Sequence, residues 1–232
     1  MPFRAVVFDL DGTLLNTLDD IAAAANTVLA ETGFPTHPVE SYREFIGRGV
    51  SILFQRALPE TARDAETIVR CVNGFQVAYG VLWNHLTRPY DGIPALLDEL
   101  TARATILTLL SNKPDDFTQQ CARQYLAAWP FRVVIGASDR IPRKPDPTGV
   151  FELAAQVGLP PREFVYVGDS AVDMETATRA GMYPVGVSWG FRPVSELRQA
   201  GARAIIETPN QLLDLLDRES PLPGDEPGRR VL

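Results

Sequence analysis

Asp9 and Asp11 stand one leucine apart where the apolar run AVVF (residues 5–8) gives out, and Gly12 and Thr13 follow them. Two carboxylates so close repel, so the arrangement is costly unless a cation or a shared chemical task offsets it. Other groups able to do chemistry trail other apolar runs in the same way. Ser111 and Asn112 come after TILTLL (105–110), Lys144 a short loop after FRVVIG (131–136), and Asp169, Ser170 and Asp173 after FVYVG (164–168). Brought together, these residues supply carboxylates, a hydroxyl, an amide and one ammonium. Such a set holds an anion poorly by itself and well around a hard cation. Mg2+ fits, because it takes oxygen ligands and is commonly held by one or two carboxylates plus substrate phosphate. Asp9 and Asp169 are then the candidate ligands, Lys144 and Ser111 remain to hold phosphoryl oxygens, and the chemistry is phosphoryl transfer.

A parallel sheet would bring together residues spread from position 9 to position 173. The runs are short, apolar throughout and rich in β-branched residues, as strands buried on both faces are. Weaker runs are YPVGVSW from 183 and AIIE from 204. Between them lie helical patterns: IPALLDELTAR from 93, PDDFTQQCARQYL from 114 with Pro114 in its first turn, and DPTGVFELAAQVG from 146, where Asp146 can cap and Gly158 can stop the helix. The alternation predicts an α/β fold, a Rossmann-like parallel sheet with helices on both faces.

Residues 16–89 break the alternation and carry only helical stripes. Ile21, Ala24, Ala25, Val28 and Leu29 form one, behind a Thr17-x-x-Asp20 capping signature; Ala65, Ile68, Val69, Val72, Phe75 and Tyr79 form another. This predicts an inserted α-helical domain over 16–89, returning through the Pro- and Gly-punctuated TRPYDGIP (87–94) to a core made of 1–15 and 90–232. The stretch 219–232 has little to bury and reads as a flexible tail.

A net charge of −7 argues against nucleic acid or anionic lipid as a partner, while 45% hydrophobic residues suffice for a sizeable core. Apolar stretches such as ATILTLL (104–110) are far shorter than the ~20 residues a membrane span needs, and no signal-peptide pattern is present, so a cytoplasmic protein is expected. Cys71 and Cys121 lack metal-ligand spacing and read as reduced thiols; His37 and His85 have no nucleophile motif around them.

Asp9-Leu10-Asp11-Gly12-Thr13, Ser111-Asn112, Lys144-Pro145 and Gly168-Asp169-x-x-x-Asp173 resemble, in order and strand-end placement, the four motifs of the haloacid dehalogenase-like hydrolases. The helical insert is similar to the small α-helical cap of that superfamily. IGRGVSILFQRAL, YDGIPALLDEL, SNKP and RKPDP resemble its phosphoglycolate phosphatase branch more narrowly. The resemblance implies that Asp9 is the nucleophile that becomes an aspartyl phosphate, and that Asp11 is the general acid and base, with its main-chain carbonyl on Mg2+. It further implies that Ser111 and Lys144 hold the phosphoryl group, that Asp169 ligates Mg2+, and that Thr13 and Asn112 lie around the substrate. Asp173 is open between a metal-shell role and a capping box with Ser170.

The core handles only the phosphoryl group, so substrate choice is expected in the cap, where Arg48 between Gly47 and Gly49 could meet a carboxylate such as that of 2-phosphoglycolate. The expected partner is a small phosphorylated metabolite, and the chain a monomer or homodimer. Asp11 disfavours a dehalogenase or phosphonatase, whose first motif lacks that second aspartate, and Thr13 disfavours a sugar-phosphate mutase, whose motif commonly has valine there. A pyrophosphatase or another sugar-phosphate phosphatase stays open. A receiver-like module or a silent phosphate-binding protein is the non-enzyme alternative, although a receiver has no inserted helices.

Overall fold

The computed structural model describes residues 3–218, so the tail expected from 219 lies outside the described residues. Its strands are β1 Ala5–Phe8, β2 Leu15–Asn16, β3 Arg88–Pro89, β4 Ile106–Pro114, β5 Phe131–Ala137, β6 Phe164–Gly168, β7 Tyr183–Val187 and β8 Ala204–Ile206. The helices are α1 Leu18–Glu31, α2 Tyr42–Phe45, α3 Val50–Ala57, α4 Ala65–Leu82, α5 Ile93–Ala102, α6 Asp115–Tyr125, α7 Thr148–Val157, α8 Ala171–Ala180, α9 Val194–Gln199 and α10 Gln211–Arg218. Six strands form one sheet in the order β5-β4-β1-β6-β7-β8, and every pairing in it is parallel.

Alternation along β1 shows why its sequence is apolar throughout. Val6 and Phe8 face one core with Leu96, Leu97 and Leu100 of α5 and Leu212 of α10, whereas Ala5 and Val7 face another with Val150 and Leu153 of α7 and Ala177 of α8. Each fully buried Leu, Val or Phe contributes ~1.5–3 kcal/mol, and covering both faces leaves only the strand ends for function.

A third cluster belongs to the helices between β2 and β3. Ile21, Ala24, Ala25, Val28 and Leu29 of α1 are buried as the first stripe requires, against Leu53 and Phe54 of α3 and Phe75 and Tyr79 of α4. The second stripe is shifted in phase: Cys71 is buried, while Val69 is 57% exposed and Ala65 is exposed. Phe117 of α6 and Phe191, after β7, join this cluster and tie it to the sheet. The antiparallel β2–β3 ribbon pairs Leu15 with Pro89 and Asn16 with Arg88, where the chain leaves the sheet for these helices and returns.

Local devices differ from expectation at three points. Helix α1 begins behind Thr17, but Thr17 makes no capping bond and Asp20 does not reach back to it. Asp20, 2% exposed, instead accepts from the main-chain N–H groups of Leu86 and Thr87 (2.9 and 2.8 Å) and from the Thr87 hydroxyl (2.8 Å), clasping the start of the helical segment to its return. Pro114 ends β4 and precedes α6 instead of lying in its first turn. Asp146 does accept from the Thr148 N–H (2.9 Å), one position outside the nominal cap Pro147, and Gly158 ends α7 at φ 79°. Among the described residues no helix is long and apolar enough to cross a membrane.

Candidate active site

The carboxyl ends of β1, β4 and β6 put the expected residues along one edge. Asp9 follows β1 directly, held in line by its N–H on Val167 O (2.9 Å), and Asp169 and Ser170 follow β6. Ser111 and Asn112, expected just beyond their strand, lie within β4. Its pairing with β5 is irregular between Leu110 and Pro114, which releases Ser111, Asn112 and Lys113 from a regular ladder. Lys144 arrives from the loop after β5, and Asp173 from the first turn of α8.

Four of these groups form one buried charge cluster. The Lys144 ammonium lies 2.8 Å from Asp9 Oδ1 and donates to Asp173 Oδ1 (2.7 Å) and Leu110 O (3.1 Å). The other oxygen of Asp173 accepts from the Ser170 N–H (3.1 Å) and hydroxyl (2.5 Å), completing the expected capping box. Asp169 Oδ2 accepts from the Phe191 N–H (2.7 Å). One oxygen each from Asp9, Asp169 and Asp173 lies within 4.8 Å of the others, so three buried carboxylates share one ammonium. Burial first, then the Asp173 charge, push the Asp9 carboxyl up to about 7 against the pull of Lys144. Burial and the charges of Asp173 and Asp9 likewise raise Asp169. Burial opposes the charge on Lys144, but Asp173 and Asp9 outweigh it and its pKa rises. Surplus negative charge on buried oxygen donors suits a hard divalent cation, with Asp173 the most heavily engaged of the three by protein donors. Gly12 makes room here. At φ 84° a side chain is strained, and a Cβ would strike the Asp169 carboxylate.

Asp11 sits in a different setting. The Lys113 ammonium contacts its two oxygens at 3.0 and 3.3 Å and donates to the Tyr79 hydroxyl at 2.7 Å. Lys113 falls within the SNKP motif, and nothing local shows that it turns toward a carboxylate 102 residues away. Burial disfavours its charge, yet Asp11 and Tyr79 overcome this and raise its pKa.

The remaining candidates divide. Ser111 lines the cavity with Asp9, Asp11 and Asp169, and its hydroxyl accepts from the Lys113 N–H (3.2 Å). Asn112 also lines it, but its amide is spent on scaffolding: Oδ1 accepts from Lys144 N (2.8 Å), and Nδ2 donates to Lys144 O (3.1 Å) and to Gly47 O of the helical segment (3.0 Å). Thr13 is fully buried, its hydroxyl oxygen without a protein partner among the described residues, while its carbonyl accepts from Trp189 Nε1 (3.1 Å). Arg48 is exposed and absent from the lining, whereas Arg192, which stands in no motif of the sequence, lines the cavity. Arg192 pairs with Glu196 (2.7 Å) and donates to Arg43 O (3.2 Å).

Residues 6–187 match the family described as haloacid dehalogenase-like hydrolase. The phosphoglycolate phosphatase of Pseudomonas syringae pv. tomato is 32% identical over 225 residues, spanning 94% of this chain and 79% of that one. The phosphoglycolate phosphatase of Thiobacillus denitrificans is 34% identical over 204 residues, 85% of this chain and 89% of its own. Among solved structures, that of a predicted phosphoglycolate phosphatase from Haemophilus somnus superposes with a TM-score of 0.85 at 27% identity, covering 92% of this chain and 97% of the other. With this match over most of its length, the chain belongs to the haloacid dehalogenase-like hydrolase family.

Proposed function

We propose that this phosphoric monoester hydrolase cleaves a small phosphomonoester that carries a second anionic group, with 2-phosphoglycolate as the first substrate to test, through an aspartyl phosphate on Asp9. The observation that carries this reading is the cluster itself: a buried carboxylate at a strand end, 2.8 Å from the Lys144 ammonium, with Asp11 and Ser111 lining the same cavity. The names of the relatives at 32% and 34% identity support the substrate.

In this reading Asp9 attacks phosphorus while Lys144 and Ser111 bind the phosphoryl oxygens and neutralise charge that grows in the transition state. Asp11 gives a proton to the departing alkoxide, so no free alkoxide has to leave. It then takes a proton from the water that attacks the aspartyl phosphate, which releases phosphate and restores the Asp9 carboxylate. Asp9 and Asp169 would hold Mg2+, the main-chain carbonyl of Asp11 completing the set as the family resemblance implies. The ion supplies positive charge against the phosphoryl group and the surplus carboxylates. Asp173 holds Lys144 and caps α8, a positioning role. The helices between β2 and β3 act as the cap over the site, and Arg192 replaces Arg48 as the candidate for the second anion. Arg56 of α3 lies within electrostatic reach of Arg192 and Arg48, and of Glu196 and Glu44 as well.

Phosphate release from a panel of phosphomonoesters, with Mg2+ or EDTA, tests the proposal. Strong Mg2+-dependent release from 2-phosphoglycolate is expected. Arg192→Met should raise KM for it ~10-fold or more, while Arg48→Ala should change KM by less than ~2-fold. Release from no ester by a folded protein would refute the reading.

A further inference from the structure

The contacts around Lys113 extend past the groups that meet the substrate. Its ammonium has three N–H bonds; two partners are the oxygens of Asp11 at 3.0 and 3.3 Å, and the third is the hydroxyl of Tyr79 at 2.7 Å. Lys113 and Asp11 belong to the sheet side, whereas Tyr79 lies on α4, in the helical segment. All three line the cavity, and Tyr79 is 1% exposed. Its ring is fixed from both sides of the divide. It stacks on Phe75 of its own helix (centroids 5.1 Å, interplanar angle 10°) and meets the edge of Phe117 of α6 (4.9 Å, 73°). The Lys113 Nζ also lies 4.6 Å from the Tyr79 ring centroid, where a cation is attracted to the ring face. A surface lysine is free to choose among rotamers; this one has its stem buried, its donors spoken for and a ring against its head.

We infer that Tyr79 is a positioning residue, which from the cap holds the Lys113 ammonium against Asp11 so that the proton-transferring carboxylate is aimed at the leaving-group oxygen only while α4 is seated on the sheet. The inference rests on the proposed role of Asp11 as general acid and base. When α4 lifts, Lys113 loses the phenol oxygen and the ring together and gains water, so nothing fixes the rotamer that orients Asp11. Other cap-to-core contacts accompany this one, Gly47 O on Asn112 (3.0 Å) and Arg43 on Gly190 O (3.1 Å), but of these three the Tyr79 contact alone leads, through Lys113, to a carboxylate that the mechanism uses. Seating of the cap and readiness of the acid thus become one event, which ties proton delivery to exclusion of water.

The expected signature is a dependence on the leaving group. An alkoxide needs a proton as it departs, while p-nitrophenolate is stable enough to leave without one. Tyr79→Phe keeps the ring and its packing and deletes only the hydroxyl. With Mg2+ present, kcat on the best alkyl phosphate of the panel should fall ~10-fold with KM within ~2-fold, and this loss should exceed that on p-nitrophenyl phosphate by ~5-fold or more. Lys113→Met should show the same selectivity with a larger loss, and Lys113→Arg should recover part of it. Equal losses on both esters, a change in KM alone, or no change in either rate would overturn the positioning role. Absence of wild-type turnover on every ester refutes the functional reading itself, a result distinct from wild-type turnover with an insensitive Tyr79→Phe. Should Tyr79→Phe melt too low to assay, the two Lys113 variants carry the same comparison between esters.

Discussion

Around Asp9, three buried carboxylates share the single ammonium of Lys144; around Asp11, two positions along the chain, one carboxylate has one ammonium to itself. The first setting is overcharged, and burial together with Asp173 lifts Asp9 to about 7. The second is balanced, with side-chain exposures of 4% for Lys113 and 13% for Asp11. The sheet edge therefore holds a place that gains from positive charge arriving from outside beside a place already neutral. In the proposed mechanism this separates the tasks of a nucleophile with its cation from those of an acid that must stay oriented. Two aspartates of the same type meet different surroundings because different elements reach them: the loop after β5, the end of β6 and the first turn of α8 at Asp9, and β4 at Asp11.

Three experiments would break or sharpen this contrast. The largest effect is expected for Asp9→Asn, which removes the proposed nucleophile and should lower phosphate release on the order of 10⁴-fold or more. It also relieves the repulsion, so in EDTA at pH 8 its melting temperature should equal or exceed that of the wild type. A clear loss of stability there would show that the cluster is not overcharged. Next come the two lysines compared by urea unfolding in EDTA. Lys144→Met leaves three buried carboxylates without an ammonium and should cost about 3–5 kcal/mol, whereas Lys113→Met leaves one partly accessible carboxylate and should cost less. Equal costs would erase the distinction between the settings.

The smallest effect concerns pH. The folded-state value of Asp9 lies above the ordinary 3.8, so its contribution to stability is present at low pH and is lost as pH rises through about 7. Asp169, raised by the same causes, acts in the same direction. In EDTA the melting temperature should fall between pH 5.5 and 8. The gain on adding Mg2+ should be larger at pH 8, because a cation binds the deprotonated oxygens. A gain independent of pH would show that the raised carboxylates are not the groups the ion meets.

The sheet and its loaded strand ends were legible because strands buried on both faces must be apolar throughout, and the polar residues that follow them stand out. Ser170-x-x-Asp173 was legible as a capping box because both partners lie within one turn. Thr17-x-x-Asp20 carries the same kind of signature and does something else, since Asp20 finds better donors at Leu86 and Thr87, which no local pattern announces. Lys113 was hidden for a similar reason: its partners are tertiary, and its type and spacing fit a solvated turn equally well. Arg48 drew attention by standing between two glycines. The cavity is lined by Arg192 instead, placed there by the loop after β7 that also ties down Asp169 through Phe191. Val69 and Cys71 differ by about half a turn, a phase that apolar spacing alone leaves loose in a helix with few strongly apolar positions.

The Asp20 clasp also bears on mechanics. The chain crosses between sheet and helices twice, once on the way out through β2 and once on the way back through β3. These crossings are paired as a ribbon and stapled above it by a single carboxylate on Leu86 and Thr87. Two independent tethers would let the helices twist and slide as well as swing. Fastened together they act as one short axle, which would restrict any swing of the helices to rotation about a single line.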